Sequence, residues 1–182
     1  MSEPGRASSS RTLTRIHRFG PVRVSAKALS QMDTVFVVGA SAFSIRQGAD
    51  SSDGYMKVTI TRDDRLQWTY RHASWRPLAV GCGESSAYVW SARDLVILPD
   101  GHDDDPSVLA VDEDLLFVFR THIGWLLVCE TSVRLVIGQD ERSRVELGDV
   151  IERAYWSGGR LHVEDAGGVT TTMNVTGDRL TL

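Results

Sequence analysis

The 182-residue sequence contains few cysteines, few lysines and no long apolar run. Its two cysteines, Cys82 and Cys129, are too few for a disulfide framework or a four-cysteine zinc site. The longest apolar runs, such as Leu115–Phe119, have the length of a strand, whereas a membrane-spanning helix needs about 20 apolar residues. We therefore expect a cytoplasmic protein that folds without a disulfide framework and does not span a membrane.

Acidic residues outnumber basic ones, and the formal net charge of −4 gives no electrostatic case for nucleic-acid binding by the chain as a whole. Positive charge is concentrated in the first 20 residues, which are rich in Ser, Gly and Pro. The arginines of this segment are Arg6, Arg11, Arg15 and Arg18. We predict a basic disordered tail over residues 1–20 and a single domain over residues 21–182. Such a tail can contact nucleic acid or an acidic partner, although most short basic tails are solvated.

Short extended segments dominate the predicted domain. Runs rich in Val, Ile, Leu, Thr and aromatic residues recur between clusters of Gly, Asp and Ser, which is typical of strands joined by tight turns. The predicted strands are residues 34–38, 42–47, 55–62, 65–71, 77–80, 86–90, 95–98, 108–111, 115–120, 125–130, 133–137, 150–156, 160–165 and 169–175. Only residues 26–32 have a helical pattern. The sequence therefore predicts an all-β fold of antiparallel meanders.

The glycine pairs near the end of the sequence predict hairpins. Gly158 and Gly159 separate two predicted strands, and Gly167 and Gly168 separate the next two. Glycine supplies the positive φ that tight hairpin turns require. We therefore predict a three-stranded meander over residues 150–175.

A weak internal repeat links four parts of the chain. Four-residue segments that end at Val38, Trp90, Phe119 and Trp156 each contain an aromatic residue, and each precedes a short break and a second strand. These end positions lie 52, 29 and 37 residues apart, which is irregular. The segment from residue 155 to 168, YWSGGRLHVEDAGG, resembles the inner hairpin of a β-propeller blade, and residues 86–100 and 115–130 resemble it more loosely.

The resemblance to a β-propeller implies a partial propeller, or one that another subunit completes. About four blades fit into a chain of this length, because propeller blades commonly have forty or more residues. The chain departs from the family in its irregular spacing and lacks a Trp-Asp dipeptide. A β-sandwich or barrel remains the alternative, because amphipathic hairpins look alike in all three folds.

The most concentrated polar segment is an acidic loop before the eighth predicted strand. It contains Asp100, His102, Asp103, Asp104 and Asp105. Closely spaced carboxylates can bind a hard cation, but this spacing is not that of an EF-hand. We therefore predict a solvated loop that is a candidate protein-binding site, and we predict no metal and no cofactor.

No arrangement of residues predicts catalysis. The five histidines show no metal-ligand spacing, and Cys82 between two glycines has no histidine nearby in sequence. Glu130, Glu164 and Asp165 lie at strand ends, where a carboxylate pair can do acid–base work, but the sequence gives no distance between them. Most of the five tryptophans are interpreted as core or half-core packing.

These observations favour a non-enzymatic protein-binding or scaffold domain, acting as an inhibitor, an immunity-like protein or an assembly subunit. The expected partner is another protein or a second copy, because a partial propeller leaves sheet edges that self-association can cover. The alternative is a small-molecule enzyme with carboxylates or His122 around a propeller or barrel mouth.

Overall fold

A computed structural model describes residues 34–38, 41–49, 56–63, 66–72, 79–82, 86–99 and 105–182. Within these ranges the regular structure consists of sixteen strands in four four-stranded sheets. The predicted all-β class is therefore confirmed. The predicted helix at residues 26–32 and the predicted tail at residues 1–20 lie outside the described residues.

Each sheet is formed by four strands that are consecutive in the sequence. The first sheet contains β1 (Thr34–Val38), β2 (Ser41–Ala49), β3 (Met56–Arg62) and β4 (Leu66–His72). The second contains β5 (Ala79–Cys82), β6 (Ser86–Ser91), β7 (Asp94–Pro99) and β8 (Ser107–Ala110). The third contains β9 (Leu115–Arg120), β10 (Trp125–Cys129), β11 (Ser132–Ile137) and β12 (Asp140–Glu146). The fourth contains β13 (Ile151–Ser157), β14 (Arg160–Asp165), β15 (Thr170–Thr176) and β16 (Arg179–Thr181).

Neighbouring strands pair antiparallel in sequence order, which is the meander of a propeller blade. The β13–β14 hairpin shows how local sequence fixes this order. Ser157 pairs with Arg160 across a turn in which Gly158 and Gly159 have φ values of 58° and 76°. A two-residue turn with both central residues at positive φ matches the twist of the flanking strands. The prediction of a glycine hairpin at this position is confirmed.

The sheets pack face to face, and each of three core clusters joins consecutive sheets. In the second sheet, Ala87 and Val89 of β6 pack against the first sheet, whereas Tyr88 and Trp90 pack toward the third. In the third sheet, every residue of β10 is buried. A strand that is apolar on both sides belongs between two covering layers. The two middle sheets are therefore the interior of the stack, in place of the two-layer sandwich that the sequence left open.

The first and fourth sheets bury only one face each. On β14, Leu161 and Val163 enter the core cluster shared with the third sheet, whereas the alternating positions are polar. On β3, Val58 and Ile60 are buried and Lys57 is exposed. Within the described residues, no core cluster joins the fourth sheet to the first. The described sheets therefore form an open stack of blade-like units.

The structure corrects the internal repeat. The first strands of the sheets begin at Thr34, Ala79, Leu115 and Ile151, so the last three units start 36 residues apart, and the first starts 45 residues before the second. The sequence alignment placed Trp90 on a first strand, but Trp90 lies on β6, the second strand of its sheet. The spacings of 52 and 29 residues came from this shift of one strand, whereas the longer spacing between the first two units is real. The short strand β5, which contains Gly81 and no aromatic residue, is the true counterpart.

Candidate functional site

Among the described residues, a dense set of charged side chains lies where the β8–β9 connection crosses the third sheet. Glu113 of this connection accepts hydrogen bonds from Ser132 Oγ at 2.8 Å, Arg144 Nη2 at 2.7 Å and Arg134 Nη2 at 2.5 Å. Its other oxygen accepts from the Thr131 backbone N–H at 3.1 Å and hydroxyl at 3.0 Å. We call Glu113, Asp112, Arg134, Arg144 and the groups that bond them the charged network.

Arg134 is the buried centre of the charged network, with 4% of its side chain exposed. It forms ion pairs with Asp112, with Glu113 and, at 3.3 Å, with Glu141. Burial alone raises the pKa of Glu113, but the hydrogen bonds from Ser132, Thr131 and Arg134 outweigh it and lower that pKa from 4.5 to about 2. A carboxylate with such a pKa is ionised and fully engaged, which is unlike a general acid poised near neutral pH. The charged network therefore fastens the β8–β9 connection to the third sheet.

The free face of the fourth sheet carries a different set of groups. Cross-strand pairing places Tyr155, His162 and Thr172 in one row on the face opposite Leu161 and Val163. The Tyr155 and His162 rings are stacked, with centroids 4.9 Å apart and planes 13° apart. His162 Nδ1 and Thr172 Oγ1 share a hydrogen bond of 3.0 Å.

The next row on this face contains Arg153, Glu164 and Thr170. Arg153 Nη1 lies 3.6 Å from Glu164 Oε2. We call these two rows, which run from Arg153 and Tyr155 across β14 to β15, the outer face of the fourth sheet. Tyr155 is 48% exposed although its ring is held by stacking. Tyrosine and arginine are enriched at protein interfaces, and this face presents an exposed Tyr155 one row from Arg153.

Other exposed apolar side chains lie in or next to the fourth sheet. Among the described residues, Trp156 is 41%, Val150 40% and Val169 61% exposed. Trp156 follows Tyr155 on β13 and pairs with Leu161, so it points to the opposite side of the sheet. Val150 and Val169 flank the β14–β15 turn, where their carbonyls accept hydrogen bonds from Ala166 and Asp165.

The acidic loop proposed as a protein-binding site is only partly described. Asp105 is exposed and precedes β8, whereas Asp100, His102, Asp103 and Asp104 lie outside the described residues. The four arginines of the predicted tail also lie outside them. In the described ranges, no group of three or more His, Cys, Asp or Glu side chains is placed to hold a metal ion.

Asp165, Glu164 and His122, which the sequence analysis considered for catalysis, lie in three different settings. Asp165 Oδ1 accepts from the Val169 backbone N–H at 2.9 Å and so closes its own turn. Glu164 faces Arg153 on the outer face, and His122 is exposed between β9 and β10. In this structure Asp165 therefore stabilises a turn, and Glu164 forms a surface ion pair with Arg153.

The buried thiol of Cys129 is unreactive in its setting. Burial raises the pKa of the Cys129 thiol to about 11, so it is protonated at neutral pH. Gly81, next to Cys82, is needed for close packing, because a Cβ there would lie 2.3 Å from the Tyr88 ring. This glycine therefore makes room for an aromatic ring.

The sequence analysis missed the charged network, although one signal for it is present. Arg134 interrupts the apolar run Ser132–Ile137, and a charged residue in such a run is buried only when it is paired. The Tyr155–His162 row also carries a signal, because a two-residue hairpin fixes which residues lie opposite each other. Of the tryptophans, Trp90 and Trp125 are buried as predicted, whereas Trp156 is exposed.

Comparisons with known proteins give a limited result. In the described part of the chain, no helix is long and apolar enough to cross a membrane. Neither a family model nor a curated protein matches this sequence. Among solved structures, the chain is similar to HIRA(644-1017), with a TM-score of 0.39 and 9% sequence identity over 81% of this chain and 57% of that chain. The match thus spans little more than half of the HIRA fragment.

Proposed function

We propose that this chain is a protein-binding domain and that the outer face of the fourth sheet is its contact surface. The observation that carries this proposal is the stacked Tyr155–His162 pair on a sheet face that no core cluster of the described residues covers. A stacked ring has lost much of its freedom before a partner arrives. Binding therefore costs less conformational entropy than it would with a mobile tyrosine.

The size and polarity of the face indicate the kind of partner. Four strands about 4.8 Å apart and about 20 Å long span about 400 Å², which is about half of one side of a standard interface. Arg153, Glu164, Thr170 and Thr172 make this face polar, whereas the interfaces of permanent dimers resemble an apolar core. The partner that fits is a different, independently folded protein in a reversible complex. Contacts beyond the face are available at Val150 and Val169.

The test compares two neighbouring aromatic residues. Tyr155→Ala removes the ring from the outer face, and Trp156→Ala removes a similarly exposed ring from the opposite side of β13. Proteins that wild type retains from a cell extract are purified, and their dissociation constants for wild type, Trp156→Ala and Tyr155→Ala are measured. We expect Tyr155→Ala to weaken binding at least tenfold, the effect of an interface hot spot of about 1.4 kcal/mol or more.

Two results would contradict the proposal. One is that each purified partner binds Tyr155→Ala and wild type equally. The other is a dimer of this chain in light scattering that Tyr155→Ala abolishes, because the occupant of the face would then be a second copy. A cytoplasmic location remains part of the proposal, and cell fractionation tests it.

A further inference from the structure

Two arginines lie on the same side of the fourth sheet as its outer face, at the end of the sheet formed by the β13–β14 and β15–β16 turns. Arg160 precedes Leu161 on β14, and Arg179 precedes Leu180 on β16. Both leucines belong to the core cluster shared with the third sheet. Because side chains alternate between the two faces of a strand, both arginines point away from this core. We call Arg160 and Arg179 the end arginines.

The end arginines carry charge that no described residue neutralises. Both residues are exposed. Within the described ranges neither forms an ion pair, not even Arg179 with the adjacent Asp178 in the β15–β16 turn. Each guanidinium has five N–H donors in a fixed planar arrangement. These donors are therefore available to an acceptor that approaches from outside.

The end arginines make this side of the sheet more positive than the rest of the chain. At the other end of the outer face, Arg153 Nη1 lies 3.6 Å from Glu164 Oε2, so the two rows of that face contribute one charge of each sign. When Asp178 is counted against the end arginines, their end of the sheet still carries an excess of positive charge. The whole chain, in contrast, has a formal net charge of −4.

The strand register sets the distance between the end arginines. The pairings of β14 with β15 and of β15 with β16 place Arg160 level with Thr181. Arg179 lies two strands across the sheet from Arg160 and two residues beyond this level. With strands about 4.8 Å apart and a rise of about 3.3 Å per residue, the two Cα atoms lie about 12 Å apart. Residues four positions apart in an extended chain are about 13 Å apart and match this distance.

The end arginines continue the surface that contains Tyr155. Arg160 is two positions from His162 on β14, so it lies about 7 Å from the row in which His162 stacks on Tyr155. Tyr155 provides an exposed aromatic ring, and the end arginines provide cationic donors on one side of it. A guanidinium binds a carboxylate through two parallel N–H···O bonds, which fixes the orientation of the bound group.

We propose that the partner of the outer face of the fourth sheet is an acidic protein segment, in which one carboxylate binds Arg160 and a second binds Arg179. The proposal rests on the proposed function in that the ligand is a protein bound beside Tyr155. Charge complementarity selects such a partner, because its carboxylates meet unpaired donors here and like charge over a chain with a net charge of −4. A nucleic acid fits less well, because its continuous row of phosphates requires more cationic contacts than two arginines offer.

The first test uses a blocked heptapeptide, acetyl-Ala-Glu-Thr-Ala-Thr-Glu-Ala amide, and the same peptide with glutamine in place of both glutamates. Binding is followed by NMR from the side-chain Nε–H signals of the end arginines, which Arg160→Lys and Arg179→Lys assign. We expect the glutamate peptide to shift both signals and to bind at least tenfold more tightly than the glutamine peptide. Because the recognition is electrostatic, we expect its affinity to fall between 50 mM and 500 mM NaCl.

Charge-reversal variants separate the end arginines from the overall charge of the chain. Arg160→Glu and Arg179→Glu change exposed residues, so both are expected to fold, which circular dichroism checks. Together they are expected to weaken binding of the glutamate peptide at least tenfold. Lys57→Glu reverses an exposed charge on the first sheet and is expected to leave binding unchanged. Equal binding of the glutamine peptide, or unaltered binding by the double variant, overturns the proposal.

A second test separates this proposal from the proposed function. Each partner purified with wild-type protein is also measured with the Arg160→Glu, Arg179→Glu double variant. Weaker binding by Tyr155→Ala with unaltered binding by the double variant would leave the contact surface in place and overturn the acidic partner. Weaker binding by the double variant with unaltered binding by Tyr155→Ala would support acidic recognition and contradict the proposed function.

A final arm identifies the class of the acidic ligand. The probe is a uridine RNA of ten nucleotides, which carries phosphates but no carboxylates. We expect it to bind wild type more weakly than the glutamate peptide does. Tighter binding of the RNA, lost in the Arg160→Glu, Arg179→Glu double variant, would make a nucleic acid the ligand of the end arginines and overturn the assignment to a protein.

Discussion

Glu113 offers a direct test of what fastens the β8–β9 connection to the third sheet. Glu113→Gln keeps the shape of the side chain but turns one oxygen into a donor that faces other donors, whichever way the amide points. It also removes the charge that faces the buried Arg134. A pKa lowered from 4.5 to about 2 corresponds to roughly 3 kcal/mol of stability at neutral pH.

Solvent around the partner Arg144, with 31% of its side chain exposed, screens part of the interaction at Glu113. We therefore expect Glu113→Gln to lower the free energy of unfolding by about 2 to 3 kcal/mol and the melting temperature by about 5 to 10 °C. Glu141→Gln is the matched control. Glu141 also contacts Arg134, at 3.3 Å, but is 41% exposed, so its loss is expected to cost less than about 1 kcal/mol.

The pH dependence of the stability difference between wild type and Glu113→Gln makes the test specific to this carboxylate. Because folding lowers the pKa of Glu113, its contribution is fully present above pH 4.5 and is lost as the pH falls toward 2. Urea unfolding followed by tryptophan fluorescence, at several pH values between 7 and 2, should show the wild-type and Glu113→Gln stabilities converging below pH 4.5. A constant difference over that range, or an equal loss in Glu141→Gln, would refute the reasoning.

Three further predictions concern packing and thiol chemistry. Gly124→Ala should lower the free energy of unfolding in urea by about 3 kcal/mol, because its Cβ would lie 2.2 Å from the Val136 carbonyl oxygen. The control Gly148→Ala has open space around its Cβ and should change this free energy by less than about 0.5 kcal/mol. In a Cys82→Ser background, Cys129 should resist a thiol reagent at pH 8 and react once urea unfolds the chain, because burial raises its pKa to about 11. Leu126→Ala should lower the free energy of unfolding by about 2 to 5 kcal/mol, because Leu126 is fully buried. The described core would be contradicted by rapid labelling of Cys129 in the native protein, or by only a small loss of stability in Leu126→Ala.

The strands that could be predicted are those whose side chains carry a burial signal. The predicted strands at residues 34–38, 115–120 and 160–165 match β1, β9 and β14 to the residue. The two strands that were missed are β12 and β16, the outer strands of their sheets. β12 is almost wholly polar and exposed, so its sequence, DERSRVE, contains no apolar alternation. Its position is fixed by pairing with β11 and by the Ser143 hydroxyl, which accepts from the Leu180 backbone N–H at 3.0 Å.

The candidate site was harder to predict than the fold, because its parts are adjacent only after folding. Glu113 and Arg144 are 31 positions apart, and no local pattern pairs them. Tyr155 and His162 lie opposite each other because of a hairpin whose turn could be predicted. The exposure of Tyr155 and His162 could not be predicted, since it depends on where the stack of sheets ends. Trp156 differs from these two residues: it lies on the side of the sheet that carries Leu161, and it is 41% exposed next to the turn of the β13–β14 hairpin.

The side chains on the free faces of the first and fourth sheets indicate where the described stack ends. Repeating units need a terminal unit with a polar outer face, because an apolar face left uncovered causes aggregation. Thr59 on β3 and Thr172 on β15 are polar and only partly buried on the free faces of the first and fourth sheets, whereas the corresponding layers of the middle sheets are Val, Leu and Trp. Among the described residues, the outer faces of the first and fourth sheets are therefore polar. Under the proposed function, the outer face of the fourth sheet selects a partner by polar and aromatic contacts.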